Sequence, residues 1–336
     1  MASQGGQRAL LAGAGAVGAR AARQLVSVGA LDELLVVDID EAVAGAVAAT
    51  IGAPARAGTV DELVPDRGDV VLLATGGEHR PLAERALERG AHVVSVSDRP
   101  EDVTTLLDLD AEARERGCHV VVGAGFSPGL SCVLVARAAM SFERVDEVHV
   151  ARIGTGGPAC ARHHHESLAG VVPEWWDGQW MRRRAGSGRQ LCWFPDPVGG
   201  VDCYRAVTPD RLLLVDAVPG VQRVSARVAA TRRDRVTAHL PMMRRPHAEG
   251  AVGAIRVEVR GRRGAAGDEQ VLGAVDRPAL AAGAVCAIAA RWALDGRLRR
   301  VGAGGLAEMV EPIPFLAALA ERGVKAATFQ GAAAAS

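Results

Sequence analysis

Up to Gly125 the chain alternates short apolar runs with stretches whose apolar positions recur at helical spacing. "RALLAG" precedes a helix predicted from Val17 to Val28, "LLVVDID" one near Glu41 to Ala49, "DVVLLAT" one from Pro81 to Arg89, and "AHVVSVS" one near Val103 to Arg116 that leads into "CHVVVGAG". Strands separated by helices of this length predict parallel βαβ units, because a parallel connection needs a crossover of about a dozen residues or more. A doubly wound α/β sheet follows. From Ser141 to Asp276 the pattern changes. "DEVHVARI" and "AIRVEVRG" place apolar Val148, Val150, Ile255, Val257 and Val259 between polar neighbours, the period of half-buried strands. With "RLLLVDAV", "VQRVSARVAA" and "RVTAHLP" they predict a central α/β domain with a mixed or antiparallel sheet covered on one face.

The first βα turn carries chemistry. "GAGAVG" fits G-x-G-x-x-G, follows a predicted strand and opens a predicted helix. Gly13 allows the tight turn, Gly15 admits a pyrophosphate close to the backbone, and Gly18 lets helix pack on strand. Amides at the helix start, Ala16 and Val17 among them, face the phosphates. The second strand ends at Asp38, 20 residues after Gly18, where a carboxylate can accept from both hydroxyls of an adenosine ribose. This is a Rossmann dinucleotide site. Asp38 repels a 2′-phosphate and "DIDEAVAG" offers no arginine to receive one, so NAD is favoured over NADP, with Ile39 beside the adenosine. Arg20 and Arg23 are the cations that could still turn that way. Ligands of such sheets bind outside the carboxyl ends of the strands, which adds Ala74, Thr75 and Gly76, then Ser97, then Gly125, from three successive loops. Ser127 suits an N-cap and Pro128 a first helical position, predicting a helix from there.

Composition narrows the classes. The 336 residues are 49% hydrophobic and 23% charged, with Lys+Arg and Asp+Glu both 39, so no global field favours nucleic acid or an acidic membrane. Lys325 is the only lysine, which excludes a Schiff-base lysine in the middle of the chain. Six scattered cysteines lack CxxC spacing, and no signal-like start or membrane-length apolar segment is visible. A reduced, cytoplasmic, soluble enzyme is expected.

"GAGAVG", the acidic strand end in "VVDID", "VSVSD", "GAGFSPGLS" and the late "EPIPFLAALAERGV" together resemble the saccharopine dehydrogenase-like oxidoreductases, over most of residues 8–150 and 275–325. The resemblance implies a Rossmann domain closed by C-terminal helices, a central substrate domain, and NAD(P)-linked chemistry at a carbon–nitrogen bond of an amino acid or polyamine. It places Phe126 and Pro128 with the cofactor, and Ser127 and Gly129 beside the reacting carbon. The expected domains are 1–127 (dinucleotide-binding), 128–276 (substrate-binding and dimerising), 277–330 (helices returning to the first domain) and 331–336 (a flexible tail).

Two clusters in the middle remain. In "CARHHHESL" adjacent histidines point in different directions and no second ligand pair is visible, so a metal is not expected. The segment is either a solvated loop or a proton shuttle, with His165, His163 and the earlier Asp98 as candidate catalytic groups, His79 behind them, and Arg162 gripping a carboxylate. The stretch from Glu174 to Ala206 concentrates the scarce aromatics with Arg182, Arg183 and Arg184. It reads either as a pocket wall, with Asp196, Asp202, Tyr204 and Arg205 fixing an amine or carboxylate, or as loops pinned around a small core. The expected partner is a small amine, imine or amino acid, with a homodimer formed through the central sheet. The competing readings are a Rossmann enoyl or keto reductase and a non-catalytic NAD-binding module.

Overall fold

The computed structural model describes residues 7–243, 246–248 and 250–329, and the expected flexible tail lies outside them. The described residues form two compact units, one within 1–97, 101–125 and 279–311, the other within 98–100, 126–278 and 312–336. The C-terminal segment therefore does not return as one block: it divides after Glu311.

The first unit contains β1 (Arg8–Ala12), β2 (Glu33–Val37), β3 (Ala55–Gly58), β4 (Val70–Leu73), β5 (His92–Ser95) and β6 (His119–Val122). Between them run α1 (Gly18–Val28), α2 (Glu41–Ile51), α3 (Arg80–Glu88), α4 (Pro100–Leu107) and α5 (Asp110–Arg116). The sheet is parallel, in the order Gly302–Gly305, β6, β5, β4, β1, β2, β3. The chain reverses its direction of winding between β1 and β4. β4 and β6 are buried throughout and β1, β2 and β5 at all but the first residue, which is why their sequences are continuous apolar runs rather than alternating ones. Two details differ from the sequence reading. β3 was not foreseen, because "ARAG" is a half-exposed edge strand with no apolar run. The helix expected from Val103 to Arg116 breaks after Leu107, where Asp110 takes Arg300 Nη1 at 3.0 Å and the Ala303 N–H at 2.9 Å and so anchors a separate α5 on the sixth-to-seventh strand edge.

The second unit opens with α6 (Leu130–Ala139) and holds β7 (Arg144–Ile153), α7 (Pro158–Glu166), β8 (Val171–Trp176), β9 (Gln179–Arg184), β10 (Gln190–Phe194) and β11 (Gly199–Arg205). α8 (Asp210–Ala217), β12 (Arg223–Ala229), α9 (Arg232–Thr237), β13 (Gly253–Arg263) and β14 (Ala266–Asp276) follow. The sheet runs β10, β11, β12, β7, β13, β14, Ala326–Phe329, with β8 and β9 attached at β12. Only β12 and β7 pair in parallel, so the sheet is mixed, as expected. Two expected strands are helices. "RLLLVDAV" is α8, which buries Leu213 and Leu214 on one side, and "RVTAHLP" falls in and after α9, whose start is fixed by reciprocal bonds between Thr231 and Asp234. An apolar run without period does not distinguish a short helix from a strand.

The turn between β1 and α1 is set by backbone contact. An ideal Cβ on Gly18 would lie 1.8 Å from the Gly13 carbonyl oxygen, and one on Gly13, whose φ is +97°, would lie 2.6 Å from the Ala74 carbonyl carbon. Around Gly15 nothing lies within 4 Å of such a Cβ. Gly18→Ala is therefore expected to lose at least ~2 kcal/mol of stability through forced displacement of strand or helix, and Gly15→Ala to change it by less than ~0.5 kcal/mol. Urea denaturation of both variants checks this; equal stabilities would contradict the close approach.

Candidate functional site

The β1–α1 turn of the first unit has a built acceptor and free donors. Gly13 N–H donates to the Val37 carbonyl at 2.8 Å, which brings the turn against the end of β2. Asp38 follows, and its Oδ2 accepts from the Ala14 N–H at 2.6 Å while Oδ1 accepts from the Asp40 N–H at 3.0 Å. Each oxygen retains a lone pair for a further donor. The N–H groups of Gly15, Ala16 and Val17 find no acceptor among the described residues, and no acid or side-chain cap occupies the start of α1. Ile39, beside the carboxylate, is 95% exposed. Arg20 Nη1 is bonded to the Ala16 carbonyl of its own helix at 2.8 Å. Gly13 and Gly18 are demanded by packing and Gly15 is not, so the middle glycine leaves an open concavity lined by unbonded amides. That arrangement fits a pyrophosphate, with Asp38 placed for a ribose.

Behind Ala74, Thr75 and Gly76, His79 is completely buried. Its Nδ1 bonds Ser95 Oγ at 2.8 Å, its Nε2 lies 3.2 Å from the Thr75 carbonyl, and its N–H donates to Asp102 at 2.8 Å. The Ser97 N–H also donates to Ser95 Oγ, at 3.2 Å. His79 thus braces the β4 and β5 loops from inside. Gly125 is buried at the end of the next loop.

In the second unit Asp98 Oδ1 and His163 Nδ1 are 2.6 Å apart, with both side chains partly open to solvent. The carboxylate fixes the proton on Nδ1, and Nε2 carries no hydrogen bond among the described residues. The segment expected as a loop or shuttle is helix α7, and a helix turns neighbouring side chains about 100° apart. The three histidines therefore have separate fates. His164 Nε2 donates to the Ala229 carbonyl at 3.1 Å, and its buried Nδ1 is unpartnered. Burial, with the nearby Arg152 charge, holds its pKa down at about 4. His165 is buried, with Nε2 at 3.0 and 3.1 Å from the Thr237 and Leu240 carbonyls, so it ties down the chain after α9. Arg162 is exposed. Cys160 is pushed up to about 12 by burial and by Asp98, and stays a thiol.

Ser127 does not cap a helix. α6 begins at Leu130 with Gly129 at its cap, φ +125°, and Ser127 Oγ instead donates to Asp210 Oδ1 at 2.8 Å, where Ser131 Oγ also donates at 2.7 Å. Phe126 and Pro128 are buried in the same segment. Asp210 was missed because it precedes "RLLLVDAV", which was expected as a strand and is a helix that Asp210 opens. The aromatic stretch forms the β8–β9 and β10–β11 hairpins. Tyr204 packs with Leu168, Ala206, Val228 and Ala238 under the Arg235 guanidinium. Arg205 is spent on buried Glu174, with Nε 3.1 and 3.0 Å from its two oxygens, and Asp202 on Arg189 at 2.9 Å.

A parallel sheet of this order with a glycine-rich first turn, followed by a mixed-sheet unit, defines the class of two-unit dinucleotide-fold proteins. The structure is similar to apo saccharopine dehydrogenase (L-Glu forming) from Saccharomyces cerevisiae, at a TM-score of 0.69 and 16% identity, over 97% of this chain and 100% of that one. It is also similar to an amine dehydrogenase from Mycobacterium smegmatis, at a TM-score of 0.51 and 13% identity, over 92% of this chain and 97% of that one. No family model and no curated protein matches the sequence. The fold thus agrees with the sequence resemblance. Among the described residues no helix is long and apolar enough to cross a membrane.

Two half-buried histidines make stability depend on pH. His164, and His92 stacked beside His119, are both held at about 4 by burial, below the ordinary 6.5. The unfolded chain then binds more protons between these values, so stability is complete above pH 6.5 and is lost as pH falls toward 4. His164→Gln is expected to flatten that slope by up to about 1.4 kcal/mol per pH unit, read from urea midpoints across the range. An unchanged slope would show that His164 protonates freely in the fold.

Proposed function

We propose that the chain is an NAD-dependent oxidoreductase that works at the carbon–nitrogen bond of a small amino-acid-like or polyamine-like molecule, oxidising an amine or reducing an imine. The observation that carries the cofactor reading is the Asp38 carboxylate, held 2.6 Å from the Ala14 N–H beside a turn whose middle glycine faces open space. Gly15, Ala16 and Val17 would hold the pyrophosphate, Asp38 the ribose, and exposed Ile39 one face of the adenosine. Asp38 disfavours a 2′-phosphate. The bound nicotinamide supplies a hydride acceptor or donor at its C4. Two proteins of like fold are named as dehydrogenases of saccharopine and of an amine, which supports carbon–nitrogen chemistry.

The proton is the protein's task. An ammonium cannot lose hydride until its nitrogen has a free lone pair. His163 Nε2 takes that proton, Asp98 holds Nδ1–H and stabilises the imidazolium, and in the reverse direction His163 returns the proton to nitrogen. His164 and His165 are each committed to backbone carbonyls and leave this role to His163. The test is reduction of NAD⁺ by a panel of basic amino acids, neutral amino acids and diamines. Turnover with at least one amine is expected, and His163→Gln should lower kcat by roughly 10²–10⁴-fold. Asp98→Asn should lower kcat less and displace the acid limb of the pH profile. Turnover confined to C=O or C=C reduction, or nucleotide binding without turnover on any amine, would sink the proposal.

A further inference from the structure

The second unit buries a cation that no described residue matches with an anion. Arg152, at the end of β7, is 7% exposed and lies in register with Val228 of β12 and Ile255 of β13. Its Nη1 reaches the Gly154 carbonyl only at 3.4 Å, and its Nε is out of contact with solvent and has no acceptor. It enters no ion pair among the described residues. A guanidinium removed from water in this state carries an uncompensated desolvation cost. The other two buried arginines of the unit make more bonds: Arg211, whose Nε is likewise unbonded, donates to the Ala206 and Ala226 carbonyls, and Arg227 donates to Gln190 and the Gly188 carbonyl.

The surroundings of Arg152 are those of the proton-transfer pair. The register partner of Arg152, Val228, is followed by Ala229, whose carbonyl takes His164 Nε2 from the helix that also carries His163. Asp98 is not the missing anion, because among the described residues its ion pair is with His163 and it makes none with Arg152. His164 is not either, because a neutral ring bonded through Nε2–H to Ala229 presents a bare Nδ1, which accepts and carries no charge. Among the described residues, α7 and the end of β7 therefore hold a guanidinium without an anion, a buried imidazole nitrogen without a donor, and a histidine–carboxylate pair with a free Nε2.

We propose that Arg152 receives the carboxylate of the substrate, and that the chain therefore acts on amines that bear a carboxylate rather than on simple amines. A carboxylate is planar and singly charged and matches one guanidinium by two parallel hydrogen bonds; a phosphate dianion calls for further cations that this region lacks. The choice of an amine substrate rests on the oxidoreductase reading, whereas the anion site stands on Arg152 alone.

Calorimetric titration of the full chain, with and without saturating NADH, tests this with paired probes that differ only by the carboxylate: L-lysine against cadaverine, and L-leucine against isoamylamine. Wild type is expected to bind at least one of the acids tenfold or more tightly than its decarboxylated partner. Arg152→Gln should abolish that preference while leaving NADH affinity unchanged, and Arg152→Lys, which keeps the charge but not the fork, should restore part of it. Should the Gln variant not fold, the Lys variant alone decides, because an undiminished preference there contradicts a bidentate site. The proposal is overturned by a wild type that binds neither acid or shows no preference, by an Arg152→Gln protein that retains the preference, or by one that loses NADH affinity, which would assign the cation to the nucleotide. A wild type that binds the acid but not NADH would leave the anion site standing and remove the oxidoreductase reading.

Discussion

The first unit depends on the approach of one backbone to another at the β1–α1 turn. Gly18 sits so close to the Gly13 carbonyl that no side chain fits, and Gly13 in turn packs on the Ala74 peptide. These two contacts bring the start of α1 against the ends of β1 and β4, at the point where the sheet reverses its direction of winding. Asp38 then closes the arrangement from the β2 side by accepting from Ala14. The result is a cleft edge where unbonded amides and a carboxylate are held by strands that are themselves completely packed. No loop flexibility is needed to form it.

The second unit solves a different problem, which is to keep polar groups under cover in a mixed sheet. It does so by giving most of them fixed partners: Glu174 for Arg205, carbonyls for Arg211, and Ser127 and Ser131 for Asp210. Burial lowers Arg211 to about 10 and raises the Cys132 thiol beside Asp210 to about 12, so both stay in their ordinary protonation states at neutral pH. Against that background the groups left incompletely bonded stand out. Three of them, His163 Nε2, His164 Nδ1 and the Arg152 guanidinium, come from α7 and the end of β7.

How much of this was legible in the sequence follows from how local each feature is. The turn and Asp38 could be read because each glycine's task is set by its immediate neighbours and the carboxylate by the length of one βα unit. The Asp98 and His163 side chains were both named, but their pairing joins residues 65 positions apart and no spacing rule predicts it. The histidine run could not be resolved until it was known to be helical, since only the turn of α7 decides that His165 faces the chain after α9 and His163 faces Asp98. Ser127 was misassigned because cap preferences are local, whereas its partner Asp210 lies 83 residues away. Arg152 was passed over because an arginine in an alternating strand reads as solvent-facing, and only the packing of β12 and β13 on either side shows it to be buried.

The most direct test of the account is fluorescence titration of the purified chain with NADH and with NADPH, repeated on Asp38→Ala. The account predicts saturable binding in which wild type prefers NADH, and a variant in which that preference shrinks because the ribose has lost its acceptor and the 2′-phosphate its repulsion. Binding of neither nucleotide to wild type, or a preference that Asp38→Ala leaves intact, would contradict it.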